Sequence, residues 1–277
     1  MERRPFGKTG ASVPMIGQGT WNMERDDRAQ AVAALRRGLD LGMTHIDTAE
    51  IYGRGKVEEL VALAIAGRRA DVFLVSKVMP SNASREGTIG ACERSLRRLG
   101  TDYLDCYLLH WPSSHPLGDT IAAFEQLIRD GKTRSYGVSN FDEGELGEVV
   151  RLAGSGHVAC NQVLYHLGER AIEHYVLPAC EKHSVAMVGY SPFGQGRFQS
   201  HRVLEEIAKA RGATVRQVAL AFLVRDPVMF AIPKAAQVAH VEDNAGAAAL
   251  KLTKEEIERI SAVFPSDRPR RGNVPTL

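Results

Sequence analysis

The sequence has little of what holds small or specialised folds together. Only four cysteines occur in 277 residues, Cys92, Cys106, Cys160 and Cys180, with no C-x-x-C pair and no histidine spacing that fits a zinc pattern. A disulfide scaffold is thereby excluded, and buried thiols in a reducing cytoplasm are expected. Aromatic residues make up 6%, and no basic stripe interleaves with them, so the footprint of a nucleic-acid protein is not expected. There is no excess of one charge: 35 Lys+Arg stand against 33 Asp+Glu, a net +2. No apolar run approaches the roughly 18 residues that span a bilayer. The start, Met1-Glu2-Arg3-Arg4-Pro5-Phe6-Gly7, lacks the apolar stretch of a secretory signal. The Arg268, Arg270, Arg271 cluster reads as a solvated end. The expected partner is a small molecule, with neither nucleic acid nor membrane, and the chain is expected to be a monomer.

What is present is a regular alternation. Eight short apolar runs lie at 15–19, 44–48, 72–78, 103–110, 135–139, 159–163, 186–190 and 228–232. Between them come stretches of helical period, at 27–41 (Ala31, Ala34, Leu35, Leu39), 85–99 (Ile89, Cys92, Leu96, Leu99), 121–128, 143–152, 171–182, 203–211 and 215–224. The last two fill the long gap before the eighth run. Runs such as Val72-Phe73-Leu74-Val75 are apolar throughout, as strands of a parallel sheet covered by helices are. A doubly wound sheet would mark its first turn with G-x-G-x-x-G. Here Gly17-Gln18-Gly19-Thr20-Trp21-Asn22 lacks the third glycine, and no helix is expected before about Asp27. The expected fold is therefore α/β, a (β/α)8 TIM barrel over residues 1–277 as a single domain. An N-terminal β-hairpin turning at Gly7-Lys8-Thr9-Gly10 precedes it.

Barrels of this kind place their chemistry where strands end. The second run exits at Asp47, with Tyr52 in the loop beyond; the third carries Lys77; the fourth ends on His110-Trp111-Pro112. Singly, each has an ordinary explanation as a cap, an exposed strand end or a hydrogen-bonded core histidine. Together on adjacent strands, an acid, an amine, a phenol and an imidazole would be costly to bury unless they satisfied one another.

Ile46-Asp47-Thr48-Ala49-Glu50-Ile51-Tyr52-Gly53, Lys77 and Leu108-Leu109-His110-Trp111-Pro112 resemble the catalytic tetrad of the aldo-keto reductase superfamily. The resemblance continues through Gly137-Val138-Ser139-Asn140-Phe141, Asn161-Gln162, Tyr190-Ser191-Pro192 and Ile232-Pro233-Lys234. The run Asn161-Gln162-Val163-Leu164-Tyr165-His166-Leu167-Gly168 is similar to that of methylglyoxal-reducing bacterial members.

The resemblance implies hydride transfer from NADPH to a small aldehyde or keto-aldehyde, with NADH a weaker alternative and no metal. Tyr52 would donate the proton, Lys77 would tune it, Asp47 would hold Lys77, and His110 would orient the carbonyl. An ammonium about 4 Å from the phenol favours phenolate by roughly 4 kcal/mol at an effective dielectric of 20, which Asp47 partly cancels. Ser139, Asn140 and Gln162 would hold the nicotinamide carboxamide, and Tyr190 would stack on the ring. Ser191, Phe193, Gly194 and Gly196 would wrap the pyrophosphate. Gly19, Thr20, Trp21, Asp47 and Ile232 complete the implied cofactor wall. Lys234 would take the 2′-phosphate; His240, Asp243 and Asn244 would lie at the adenosine end. His240 and Asp243 depart from the commoner Arg and Glu there, which weakens the NADPH signature. Trp21, Tyr52, His110 and Trp111 would wall an open substrate mouth. Two other uses of such a barrel are a Schiff-base lyase acting through Lys77 and a cofactor-sensing regulatory protein with little turnover. Each would separate from a reductase in a nicotinamide oxidation assay.

Overall fold

The computed structural model describes residues 1–277 apart from 199, 267–270, 273 and 277. Arg268 and Arg270 of the C-terminal arginine cluster lie outside the described residues. Arg271 is exposed, yet its guanidinium stands 5.1 Å above the Tyr175 ring, so it packs as well as being solvated.

Strands β1 (Arg3–Pro5) and β2 (Ser12–Pro14) form the antiparallel hairpin. Its turn buries Phe6 completely at the end of the barrel where the strands begin, and the ring meets Phe73, Phe230 and His45 there at centroid distances of 4.9, 5.2 and 5.8 Å. The hairpin is thus a plug, made stable by the one aromatic residue that its tight turn projects inward.

The parallel sheet runs in sequence order through β3 (Gln18–Gly19), β4 (His45–Asp47), β5 (Phe73–Val78), β6 (Cys106–Leu109), β7 (Tyr136–Ser139), β8 (Val158–Leu164), β9 (Ala186–Tyr190) and β10 (Met229–Ile232). Closure comes from the segment before and after β3: Gly17 N–H donates to Ala231 O at 2.8 Å, Ala231 N–H to Met15 O at 3.0 Å and Gly19 N–H to Pro233 O at 3.1 Å. The first apolar run therefore spends most of its length closing the barrel, and only Gln18 and Gly19 pair with β4. A Cβ on Gly19 would stand 2.5 Å from Ile232 O, so glycine is required by the seam.

Helices α1 (Arg28–Asp40), α2 (Lys56–Ile65), α3 (Arg85–Leu99), α4 (Leu117–Arg129), α5 (Glu143–Ala153) and α6 (Val176–His183) each follow one strand. Helices α7 (Arg202–Arg211) and α8 (Val215–Leu223) share the long β9–β10 connection, and α9 (Val238–Gly246) and α10 (Lys254–Val263) follow β10. Strand alternation divides the burial. Phe73, Val75, Cys106, Leu108, Cys160, Val188 and Phe230 fill the barrel interior, while Ile46, Leu74, Tyr107, Leu109 and Met187 meet the helices outside.

Alternation along β5 fixes the direction of Lys77. Ser76 faces outward, donating at 2.6 Å to Glu58 on α2, and Glu58 is itself buried and held by Arg98 of α3 at 2.6 Å. Lys77 must then face inward, where it is buried completely.

Candidate active site

All four groups of the tetrad meet at the C-terminal end of the barrel. Lys77 Nζ donates to Asp47 Oδ1 at 2.5 Å, to Thr48 O at 2.9 Å and to Tyr52 Oη at 3.2 Å. Three donors and three acceptors account for every ammonium proton. The second oxygen of Asp47 accepts from Gln162 Nε2 at 2.7 Å, so this carboxylate ties β4 to β8 across the barrel. Tyr52 is half-buried in the loop beyond β4, and its ring meets His110 edge-on at 5.7 Å. His110 in turn lies 4.7 Å from Trp111.

Burial raises the Tyr52 phenol above its ordinary 10; Lys77 opposes this, and Asp47 adds to it. The direction differs from the lowering that the ion-pair arithmetic alone suggests, because desolvation of the phenolate outweighs the attraction of an ammonium already claimed by Asp47. Tyr52 is consequently protonated throughout the neutral range. Burial lowers Lys77, but Asp47 and Tyr52 more than compensate, and its pKa lies above the ordinary 10.5. His110 falls well below 6.5, through burial first and Lys77 second, and is neutral. Its Nδ1 is buried without a partner. With the single N–H of neutral imidazole on Nε2, the orphan is a lone pair, the cheaper deficit.

The neighbouring strand ends continue the site. Asn140 Nδ2 donates to His110 O at 3.0 Å and to Ser139 Oγ at 3.1 Å, while Tyr190 Oη donates to Asn140 Oδ1 at 2.9 Å. Asn140 and Ser191 sit in left-handed backbone, φ 61° and 50°, at the exits of β7 and β9. Such positions cost roughly 1 kcal/mol or more for non-glycine residues and gather where function fixes the backbone.

These residues bound a cleft of about 770 Å³. Of the residues singled out in the sequence, Gly19, Thr20, Trp21, Asp47, Tyr52, His110, Trp111, Ser139, Asn140, Gln162, Tyr190, Ser191, Ile232 and Lys234 line it. Phe193, Gly194, Gly196, His240, Asp243 and Asn244 do not line it. Phe193 packs edge-on against Phe198 at 5.7 Å, Asp243 accepts from the Thr214 hydroxyl at 2.8 Å, and Asn244 is buried. Lys234 is not a waiting cation either: it forms an ion pair with Asp26, just before α1.

Sequence reasoning missed Ile51, Pro112, Glu145, Val274 and Thr276, which also line the cleft. Glu145 was legible as the fourth residue of the capping box begun by Asp142. Val274 and Thr276 belong to the proline-containing C-terminal segment; both line the cleft, and Val274 is buried. The mouth is accordingly less open than its short loops imply.

Residues 15–264 match the aldo/keto reductase family. The chain belongs to that family. It is 46% identical over 264 residues to the methylglyoxal reductase YeaE of Escherichia coli (strain K12), covering 93% of each protein. It is 33% identical to the glyoxal reductase of Bacillus subtilis (strain 168), covering 94% of this chain and 92% of that one. The aldo/keto reductase of Klebsiella pneumoniae, solved in complex with NADP and acetate, superposes with a TM-score of 0.93 at 44% identity, covering 100% of both chains. In this aldo/keto reductase the inward-facing Lys77 on β5 pairs with Asp47 on neighbouring β4, and Asp47 and Tyr52, the latter in the loop beyond β4, line the cleft.

Proposed function

We propose that the protein reduces small aldehydes and keto-aldehydes, methylglyoxal among them, to alcohols, using NADPH as hydride donor and Tyr52 as proton donor. The observation that carries this reading is the Lys77 ammonium held between Asp47 and the Tyr52 hydroxyl, 3.2 Å from the phenol oxygen. Similarity to methylglyoxal and glyoxal reductases, and to a structure solved with NADP, supports the substrate class and the cofactor.

The cleft fits a nicotinamide dinucleotide on its own features. Its volume of about 770 Å³ suits a cofactor and a small substrate together. The amides of Asn140 and Gln162 offer paired donor and acceptor atoms to a carboxamide, Tyr190 supplies an aromatic wall, and Lys234 supplies a cation at the far end. Phe193, Gly194, Gly196, His240, Asp243 and Asn244 would join this site through the pyrophosphate and adenosine, outside the enclosed part of the cleft. Lys234 would exchange Asp26 for the 2′-phosphate, an exchange that sets the margin of NADPH over NADH.

A bound reduced nicotinamide supplies hydride to the carbonyl carbon. Tyr52 donates its proton to the carbonyl oxygen as negative charge develops there, and Lys77 steadies the phenolate left behind. His110, neutral and with its N–H on Nε2, donates a hydrogen bond to the same oxygen and fixes the carbonyl's orientation. Trp21, Trp111 and Val274 exclude water and confine the carbon chain. A Schiff base on Lys77 is disfavoured, because all three protons of its ammonium are engaged and its pKa is raised.

Four buried free thiols suit a reducing compartment such as the cytoplasm. Large apolar side chains exposed outside the cleft, Met1, Leu63, Leu152 and Val238, are few and only about two-fifths exposed, which suits a monomer. Among the described residues no helix is long and apolar enough to cross a membrane.

Oxidation of NADPH and of NADH should be followed over methylglyoxal, other small aldehydes, aromatic aldehydes, sugars and ketones. Turnover fastest with small aldehydes and NADPH is expected. Tight NADPH binding with negligible turnover across the panel would replace this reading with a sensory one.

A further inference from the structure

Three wall residues of the cleft carry charge in their side chains: Asp47, Lys234 and Glu145. Asp47 is neutralised by Lys77 and Lys234 by Asp26. Glu145 has no cationic partner among the described residues, since its interactions are a hydrogen bond from Asp142 N–H at 2.9 Å and repulsion from Asp142 and Glu148. It projects from the first turn of α5, directly after the β7 exit that carries Asn140, and Asn140 is bonded to His110 O. Glu145 therefore belongs to the part of the wall near His110, away from the adenosine end at Lys234.

A helix start ordinarily welcomes anions through its free N–H groups. At α5 one of these, Glu145 N–H, is taken by Asp142 Oδ1 at 2.8 Å, and Glu145 Oε2 accepts from the N–H of the cap residue Asp142 at 2.9 Å. The reciprocal cap engages two backbone donors and one oxygen of the Glu145 carboxylate, and Glu145 lines the cleft. Trp21, Ile51, Trp111, Pro112, Val274 and Thr276, which line the rest of the mouth, contribute no compensating cation.

We propose that Glu145 sets the charge specificity of the substrate mouth, disfavouring carbonyl compounds that carry a carboxylate and favouring neutral ones. The proposal rests on the reductase reading given above and names the substrate class within it. Partial burial raises the Glu145 pKa first, with Asp142 and Glu148 adding to the rise and the Asp142 N–H opposing it, as expected for a carboxylate that lacks a counter-ion. A substrate carboxylate brought into the same confined cleft meets a like charge that has no cationic partner among the described residues.

The test compares 4-oxobutanoate with its methyl ester, which differ by one charge at the end remote from the aldehyde, at saturating NADPH. The wild type should favour the ester in kcat/KM, and high salt should narrow the margin by screening. Glu145→Gln should raise the acid-to-ester ratio by about tenfold. Glutamine at this position preserves the cap, as Gln217 does in the equivalent box at the start of α8, so the variant keeps its fold. Glu59→Gln, on the exposed face of α2, removes the same charge outside the cleft and should leave the ratio unchanged. An unchanged ratio in Glu145→Gln, or an equal change in Glu59→Gln, overturns the proposal while the reductase reading stands. Failure of the wild type to reduce even the ester overturns that reading, and the proposal with it.

Discussion

Two opposing influences meet at the phenol oxygen of Tyr52, the proton donor proposed above. Burial drives its pKa up, keeping the acid loaded at neutral pH, and the Lys77 ammonium at 3.2 Å restrains that rise so that the proton can still leave. Removing Lys77 tips the balance toward burial. Lys77→Met, made with Asp47→Asn so that no orphan carboxylate remains, should lower kcat/KM for carbonyl reduction at neutral pH by at least about tenfold and move the alkaline limb of the pH profile upward. The sign follows from Lys77 being the cation that lowers the phenol's pKa. A profile with an unchanged alkaline limb would show that the two groups are not coupled. The tetrad was legible in sequence because each member stands at or just beyond a strand end. The net direction of the Tyr52 shift was not, since desolvation depends on the whole cleft.

Elements explain both what the sequence makes plain and what it conceals. The alternation of apolar runs and helical periods reads directly as β4 through β10, because strands covered on both faces are apolar throughout. Helix α2 fell outside that reading although Val57, Leu60, Val61 and Ala64 recur at helical spacing, and so did α9 and α10, the last with a capping box at Thr253 and Glu256. β3 is the opposite case: a run of five suggests a full strand, but a two-residue ladder remains once the segment also closes the seam against β10. Gly17 and Gly19, which resemble the start of a phosphate-binding turn, serve that seam. Gly19→Ala should destabilise the fold by about 2 kcal/mol through its clash with Ile232 O, read as a lower midpoint in urea. It should also weaken NADPH binding, because Gly19 N–H bonds Pro233 O beside Lys234. A midpoint equal to wild type would mean that the seam relaxes freely.

At the scale of the molecule the two ends of the barrel have separate duties. The upper end is polar and holds the cleft; the lower end is sealed by Phe6 and by His45, whose ring stands edge-on to Phe73 at 5.5 Å and whose two nitrogens lack partners. Burial above all, with Lys77 in support and Asp47 opposing, lowers the His45 pKa from 6.5 to about 4. Above the unfolded value both states are neutral and the fold has its full stability. As pH falls from about 6.5 to about 4, the unfolded chain takes up a proton that the folded chain refuses, costing about 3 kcal/mol. His45→Leu should flatten the fall of melting temperature over that window, and an equally steep fall in the variant would place the acid sensitivity elsewhere. The C-terminal segment is the other whole-chain feature that sequence hid. Its prolines announce irregular backbone, but only the folded barrel reveals that Val274 is buried against the mouth.

The central claim is that the Tyr52 hydroxyl supplies the proton, and Tyr52→Phe removes that hydroxyl and little else. Single-turnover NADPH oxidation with methylglyoxal, alongside NADPH binding by fluorescence titration, tests it most directly. The account predicts a rate lower by roughly a thousandfold with binding of the cofactor unchanged. A turnover rate close to wild type in that variant would contradict it.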